Sequence, residues 1–247
     1  MTFNDFLAAG VSYFFRTEDF SAKYGDGAMM ICLLVLTLVC AAAAYFCGCF
    51  NSAIFFSKRF FGEDIRKRGS GNAGMTNMFR VFGKKAGILT FAGDVGKAIV
   101  AIIAGYCLLG YVGSWLAGLF CMLGHMFPAF YGFRGGKGVL VMFVTMLLCD
   151  WPVFVIGILV FIIVLYFGRM VSAASIMTAI TMPLFLDIVY RVFYQSEGAS
   201  GLRFPIALLM TVCVCLAHKS NLGRIFSGTE SKIKFPWEKK KENQEKN

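Results

Sequence analysis

Residues 138–169 read GVLVMFVTMLLCDWPVFVIGILVFIIVLYFGR. Apart from Asp150 and the terminal Arg169 the stretch carries no charge, and how it is divided decides how often the chain crosses a bilayer. As a single helix it would be about 48 Å long at ~1.5 Å per residue, well beyond the ~30 Å of a hydrocarbon core. Asp150-Trp151-Pro152 lies near its middle. Proline cannot continue a helix interior, and Asp beside Trp suits a membrane–water boundary. The spacing predicts two short spans meeting at 150–152.

Working outward, 58% of the 247 residues are hydrophobic and 15% are charged, against roughly 45–50% and 25% in an average soluble domain. The mean hydropathy is +0.69. No charge occurs from Ala28 to Ser57, which makes one span. Ala86 to Tyr131 is too long for one helix and is interrupted by glycines at GYVGSW, 110–115, which makes two more. Met170–Tyr190 and Gly201–Ala217 complete seven. The expected fold is all-α, a polytopic membrane protein with seven transmembrane helices. Residues 28–232 form the membrane domain, 1–27 an N-terminal interfacial or external extension, and 233–247 a basic cytoplasmic tail. Phe3, Phe6, Tyr13, Phe14, Phe15 and Phe20 read as an interfacial anchor for the extension.

Charge placement chooses the sides. The net charge is +10, and the loop 58–85 has eight Lys/Arg against Glu63 and Asp64. Arg134, Lys137, Arg169 and a tail with six Lys against three Glu fall on the same side if there are seven spans. Basic loops stay in the cytoplasm, so the N-terminus is placed outside and the C-terminus inside. Cations clustered between apolar runs do not make a nucleic-acid groove, and no nucleic-acid partner is expected. The nine cysteines lie in or beside apolar runs and read as small hydrophobes. Neither a metal nor a cofactor is required.

Three polar loops fall on the inner side. The first, RKRGSGNAGMTN at 66–77, contains G-x-G-x-x-G, with Asp94 about 20 residues on. The dinucleotide reading of that pattern needs a preceding strand and a βαβ unit, whereas this loop lies between two membrane spans. What survives is the local physics: Gly69, Gly71 and Gly74 let backbone N–H groups curl around an anion, and Ser70, Asn72, Thr76 and Asn77 add neutral donors. Arg80 suits bidentate phosphate contact. The second loop, GHMFPAFYGFRGGKGV at 124–139, sets Arg134 and Lys137 among Gly135, Gly136 and Gly138 without Walker A spacing. The third, AHKSNLGRIFSGTESK at 217–232, puts His218 and Asn221 on one face if the helix continues. Asp94 and Lys97, three apart in the first turns of a span, are functional candidates or an ion pair that holds helices together. His125 reads as a structural interface residue.

These loops, with RMVSAASI at 169–176, resemble the bacterial membrane glycerol-3-phosphate acyltransferases that take acyl phosphate as donor. The matching motifs are GSGNAGMTNMFRVFGKKAG, GHMFPAFYGFRGGKGV and HKSNLGRIFSGTESK, and the resemblance runs from about Cys47 to Lys232. Met75, Ala98, Arg134 and GCFNS at 48–52 depart from the family pattern. The resemblance implies seven spans and acyl transfer to the 1-hydroxyl of sn-glycerol 3-phosphate, giving 1-acyl-sn-glycerol 3-phosphate (lysophosphatidic acid) and phosphate. It assigns Ser70, Gly71, Lys137, Ser172, His218 and Asn221 to the donor phosphate and carbonyl, and Arg80 with Gly135, Gly136 and Gly138 to glycerol 3-phosphate. Gly69, Asn72, Gly74, Thr76, Asn77 and Lys97 complete the candidate site. The general base is either His218 or the leaving phosphate, and the family leans toward the phosphate. Expected partners are the two substrates, membrane lipid and the soluble enzyme that makes acyl phosphate. A transporter or flippase of a phosphorylated metabolite is the rival, although no internal repeat is visible.

Overall fold

The computed structural model describes residues 10–15, 18–192 and 201–233. Phe3 and Phe6 of the expected anchor, and nearly all of the basic tail, lie outside these residues. The described residues form helices and no strands. They are α1 (Glu18–Tyr24), α2 (Asp26–Cys49), α3 (Ser52–Phe61), α4 (Met75–Met126), α5 (Val139–Cys149), α6 (Trp151–Gly168), α7 (Val171–Val192), α8 (Arg203–Ala217) and α9 (Lys219–Phe226).

Met75–Met126 is not one straight helix. Gly83 and Gly110 have φ of 83° and 63°, which only glycine adopts cheaply, and they divide α4 into 75–82, 84–109 and 111–126. The Gly110 bend reverses the chain: a β-carbon on Gly105 would collide with the Gly113 carbonyl, and one on Gly113 with the Gly105 carbonyl. The interruption expected at 110–115 therefore falls on its first residue. Asp94 stands well inside the 84–109 leg, deeper than the first turns in which the sequence reading put it.

The break at Asp150 is present, with φ −148° and ψ 76° between α5 and α6 and Pro152 in the first turn of α6. At its far end Tyr111 donates to the Asp150 carboxylate at 3.0 Å and to the Cys149 carbonyl. The Arg203 guanidinium lies 4.5 Å from the Tyr111 ring centre and 4.7 Å from that of Tyr190. This cluster ties together the Gly110 turn, the α5–α6 break and the α7 and α8 ends. The N-terminal segment joins the same end, where Gly10 (φ 59°) sits against the backbone of Tyr106 and Cys107. The three polar loops gather at the opposite end.

Between the two ends run seven apolar helical legs: α2, 84–109, 111–126, α5, α6, α7 and α8. By length and composition four helical stretches can cross a membrane, or five if the bent pair α8–α9 counts as one. The shortest leg, α5, has 11 residues, about 16 Å at ~1.5 Å per residue. Lys137 at its start is therefore nearer the Asp150 cluster than the ~30 Å of a hydrocarbon core.

Glycines let the legs approach. Gly48 of α2 faces the Cys121 carbonyl, Gly124 faces that of Tyr45, and Gly118 faces the Thr145 side chain. Such small-residue contacts are the usual means of close helix packing in lipid, where the apolar surroundings give no hydrophobic drive. A side chain at Gly124 would have to displace backbone, whereas one at Gly96 meets open space. Gly124→Val should lower stability in detergent by about 1–3 kcal/mol, while Gly96→Ala should leave it unchanged or raised. Thermal unfolding of both variants checks this.

Candidate active site

The first loop is rigid rather than open. Asn77, buried in the 75–82 leg, accepts from the Ser70 N–H at 3.0 Å and donates to the carbonyls of Ile65 (3.3 Å), Arg68 (3.0 Å) and Asn72 (3.0 Å). Gly71 and Gly74 spend their N–H groups on Arg68 and Asn72 carbonyls. This corrects two expectations. Asn77 is an internal brace of the loop, its amide engaged with loop carbonyls, and the N–H groups of Ser70, Gly71 and Gly74 are bonded within the loop rather than open. Gly69 and Gly71 have φ of 57° and 72°, and a side chain on Gly69 would strike the Asn77 amide. Ser70, Thr76 and Arg80 remain exposed at the rim, and Arg80 has no ion-pair partner among the described residues. Met75 is exposed as well.

Arg66 bolts this loop to the second. Its Nη1 donates to the carbonyls of Tyr131 (2.6 Å) and Arg134 (3.1 Å), while Asp64 holds the rest of the guanidinium at 2.7–3.2 Å. The Arg66 hydrogen bonds hold the Asp64 carboxyl down to about 2. Asn51 caps α3 by accepting from the Ile54 N–H at 3.0 Å, and donates to the Ala73 carbonyl at 3.4 Å. Neither Arg66 nor Asn51 was singled out from sequence. Arg66 looked like one topology cation among eight, and Asn51 lay in a segment noted only for departing from a pattern.

The second loop folds back on its own helix. Gly135 and Gly136 donate to the carbonyls of Met126 (3.0 Å) and His125 (3.1 Å). Gly138, at φ 76°, begins α5 against the Met122 side chain. Lys137 is thereby aimed at the third loop and donates to Asn221 Oδ1. Asn221 in turn donates to Glu230 Oε1 at 2.6 Å, which also accepts from Ser172 Oγ at 2.7 Å. The other carboxylate oxygen receives Arg224 Nε at 2.7 Å. Glu230 is therefore a hub joining α7, α9 and, through Asn221, the second loop. Burial pushes its carboxyl up, but the bonds from Ser172, Asn221 and Arg224 outweigh this and lower it.

His218 fills the break between α8 and α9, two helices that meet at 59°. The helix does not continue through it as the spacing argument required, yet His218 and Asn221 are both buried at the same place. His218 Nδ1 lies 2.8 Å from the Val214 carbonyl, an acceptor only, so Nδ1 carries the proton and Nε2 is the free acceptor. Burial, then the Lys137 charge, lower its pKa to about 4. Burial likewise lowers Lys137 to about 8, with Glu230 opposing.

Lys97, expected at the substrate, is enclosed instead: its Nζ is 2.9 Å from Asp94 Oδ1, 2.8 Å from the Phe50 carbonyl and 2.8 Å from His125 Nδ1. The expected Asp94–Lys97 pair is present. No three metal-ligating side chains cluster among the described residues.

The arrangement is two cation-bearing, glycine-built loops and a neutral His/Asn pair joined at one end of a helical membrane scaffold. The family described as Glycerol-3-phosphate acyltransferase matches residues 38–228 by its sequence profile. The chain belongs to that family. A glycerol-3-phosphate acyltransferase of Clostridioides difficile is 36% identical over 202 residues, covering 79% of this chain and 95% of the relative. That of Bacillus subtilis is 35% identical over 207 residues, covering 84% and 100%. A crystal structure of PlsY (YgiH), an integral membrane glycerol 3-phosphate acyltransferase in its glycerol 3-phosphate form, superposes with a TM-score of 0.71 at 30% identity, over 80% of this chain and 96% of that one. The chain is thus a multi-pass membrane acyltransferase with the PlsY fold.

Lys137 gives the family site a pH signature. Because its folded value of about 8 lies below the ordinary 10.5, the fold bears a cost at pH below 8 that disappears as pH rises to 10.5. In the folded protein its charge is half lost at about pH 8. Binding of a phosphate-bearing substrate should therefore weaken above pH 8, and Lys137→Arg should move that limb upward. Steady-state KM measured between pH 6.5 and 9.5 checks the shift.

Proposed function

We propose that the protein transfers an acyl group from acyl phosphate to the 1-hydroxyl of sn-glycerol 3-phosphate, releasing 1-acyl-sn-glycerol 3-phosphate and inorganic phosphate as the first step of phospholipid synthesis. The observation that carries the reading is the bonded chain Lys137–Asn221–Glu230–Ser172, which draws three distant segments into one polar site beside apolar helices. The seven legs each cross the membrane, with the N-terminus outside and the loops on the cytoplasmic side of the bacterial inner membrane. The short α5 leg then puts Lys137 where an acyl chain lying among lipid tails can present its phosphate.

Acyl phosphate is a mixed anhydride and already activated, so the protein's tasks are to hold two mutually repelling phosphates together and to stabilise the tetrahedral oxyanion. Lys137, with Asn221 bonded to it, His218 close by and Ser172 joined through Glu230, meets the donor phosphate and carbonyl together with Ser70 from the first loop. Arg80, projecting free at the rim, meets glycerol 3-phosphate beside the turn of Gly135, Gly136 and Gly138. The hydroxyl oxygen attacks the acyl carbon, the carbon–oxygen bond to phosphate breaks, and the hydroxyl proton leaves with that phosphate. A histidine held near 4 is a weak base at neutral pH, which favours the departing phosphate as proton acceptor and leaves His218 Nε2 to orient the hydroxyl.

Membranes containing the protein, given palmitoyl phosphate and radiolabelled glycerol 3-phosphate, should form lysophosphatidic acid; labelled substrate that crosses the membrane unchanged would favour a transporter instead. His218→Gln should slow turnover yet keep the wild-type pH profile between 3.5 and 8, whereas a catalytic base at this position would take the acid limb near pH 4 with it. Arg80→Ala should raise the glycerol 3-phosphate KM by about tenfold or more, the loss of one charge-assisted contact. An unchanged KM with normal turnover would remove Arg80 from the site.

A further inference from the structure

A buried charged cluster lies beneath the site. A lysine ammonium has three donors and no acceptor. That of Lys97 makes hydrogen bonds to the Phe50 carbonyl and His125 Nδ1, and a charge contact to Asp94 Oδ1. Asp94, Lys97 and His125 are all buried. Since Nζ can only donate, His125 Nδ1 accepts, and the imidazole carries its proton on Nε2. That second nitrogen faces Gly136, where any β-carbon would overlap it; the same β-carbon position is 2.8 Å from the Ala73 carbonyl of the first loop. His125 also accepts through its own carbonyl from the Gly136 N–H at 3.1 Å. Phe50, the other acceptor of Lys97, adjoins Asn51, which holds the Ala73 carbonyl at 3.4 Å. One ammonium is therefore linked by short paths to the point where both glycine loops meet.

We propose that Asp94, Lys97 and His125 form a positioning relay that fixes the separation of the two glycine-rich loops, with Lys97 setting the tautomer of His125 and His125 holding the loop junction through its Nε2 edge. The proposal rests on the acyl-transfer reading for its kinetic consequence, though not for its structural one. None of the three touches the rim on which the phosphates would sit; they are positioning residues. Asp94 balances the buried charge, and its removal by itself would leave Lys97 uncompensated among apolar helices. A staple that merely joins helices would not be directed at Gly136 and Ala73.

The test uses the full chain in detergent and three variants. His125→Phe keeps the ring volume and removes both nitrogens. Asp94→Asn/Lys97→Met removes both charges together, so that neither is stranded. His125→Gln restores a chain long enough to accept from Lys97 and donate toward the loops. Hydrogen exchange is followed at residues 69–74 and 134–138, with α6 as reference, alongside KM and kcat.

The relay predicts exchange about tenfold faster at both loops in the first two variants, with α6 unchanged. It predicts a glycerol 3-phosphate KM that rises more than kcat falls, near-wild-type values in His125→Gln, and a triple variant no worse than His125→Phe, because residues acting in series are not additive. Exchange unchanged at either loop, or accelerated equally in α6, overturns the relay. If the wild type shows no acyl transfer, the functional reading falls, and the exchange data still decide the relay.

Discussion

A charge inside an apolar helix bundle must be matched from within, because lipid offers no partner for it, and the ammonium of Lys97 shows how this chain meets that demand. Its acceptors come from three places: a carboxylate one turn away, a carbonyl at the end of α2, and an imidazole at the end of the 111–126 leg. Satisfying one cation thus holds the ends of two legs, α2 and 111–126, against the middle of a third. The second glycine loop departs directly from the 111–126 leg, and the first lies between α3, which follows α2, and the 75–82 segment that leads into the 84–109 leg. The geometry of the site follows from a burial requirement inside the scaffold.

The same rule, inverted, shapes the site. At the loop end cations outnumber acids, and a single carboxylate, Glu230, organises the third loop by accepting from Ser172, Asn221 and Arg224. Lys137 is satisfied by a neutral amide and keeps its charge uncompensated at short range. Burial without a direct carboxylate partner is what lowers its pKa. An arriving phosphate would relieve that cost, so the site is most favourable when an anion is present. The N–H groups of Ser70, Gly71, Gly74, Gly135 and Gly136, which a glycine-rich sequence suggests as part of an anion cradle, are here bonded within the protein. Under the proposed reaction, side chains on braced loops would meet the ligand, so that little reorganisation is needed on binding.

The far end of the bundle uses different chemistry for a purely structural purpose. Arg203 lies between the rings of Tyr111 and Tyr190, and Asp150 takes the Tyr111 hydroxyl. Aromatic faces and a phenol stabilise a guanidinium near the membrane boundary where water is scarce. This cluster gathers the turn, the break and the two helix ends that hydropathy marked separately.

Much of this was legible in one dimension. Apolar runs, the breaks at Gly110 and Asp150, the one-ended clustering of cations and the three motifs all follow from local rules of length, backbone freedom and charge. The roles of individual polar residues were not. Asn77 and Lys97 looked like ligand donors because their chemistry permits it, but only the fold shows their donors already spent. Arg66 and Asn51 looked incidental because their partners, Tyr131, Arg134 and Ala73, are remote in sequence or carry no chemical signal. The sequence alone determined a helical membrane protein with anion-seeking loops, since burial and charge cost the same whatever surrounds them. Which of its hydrogen-bonding groups are free to act was decided by the tertiary structure, because a donor's availability depends on what packs against it.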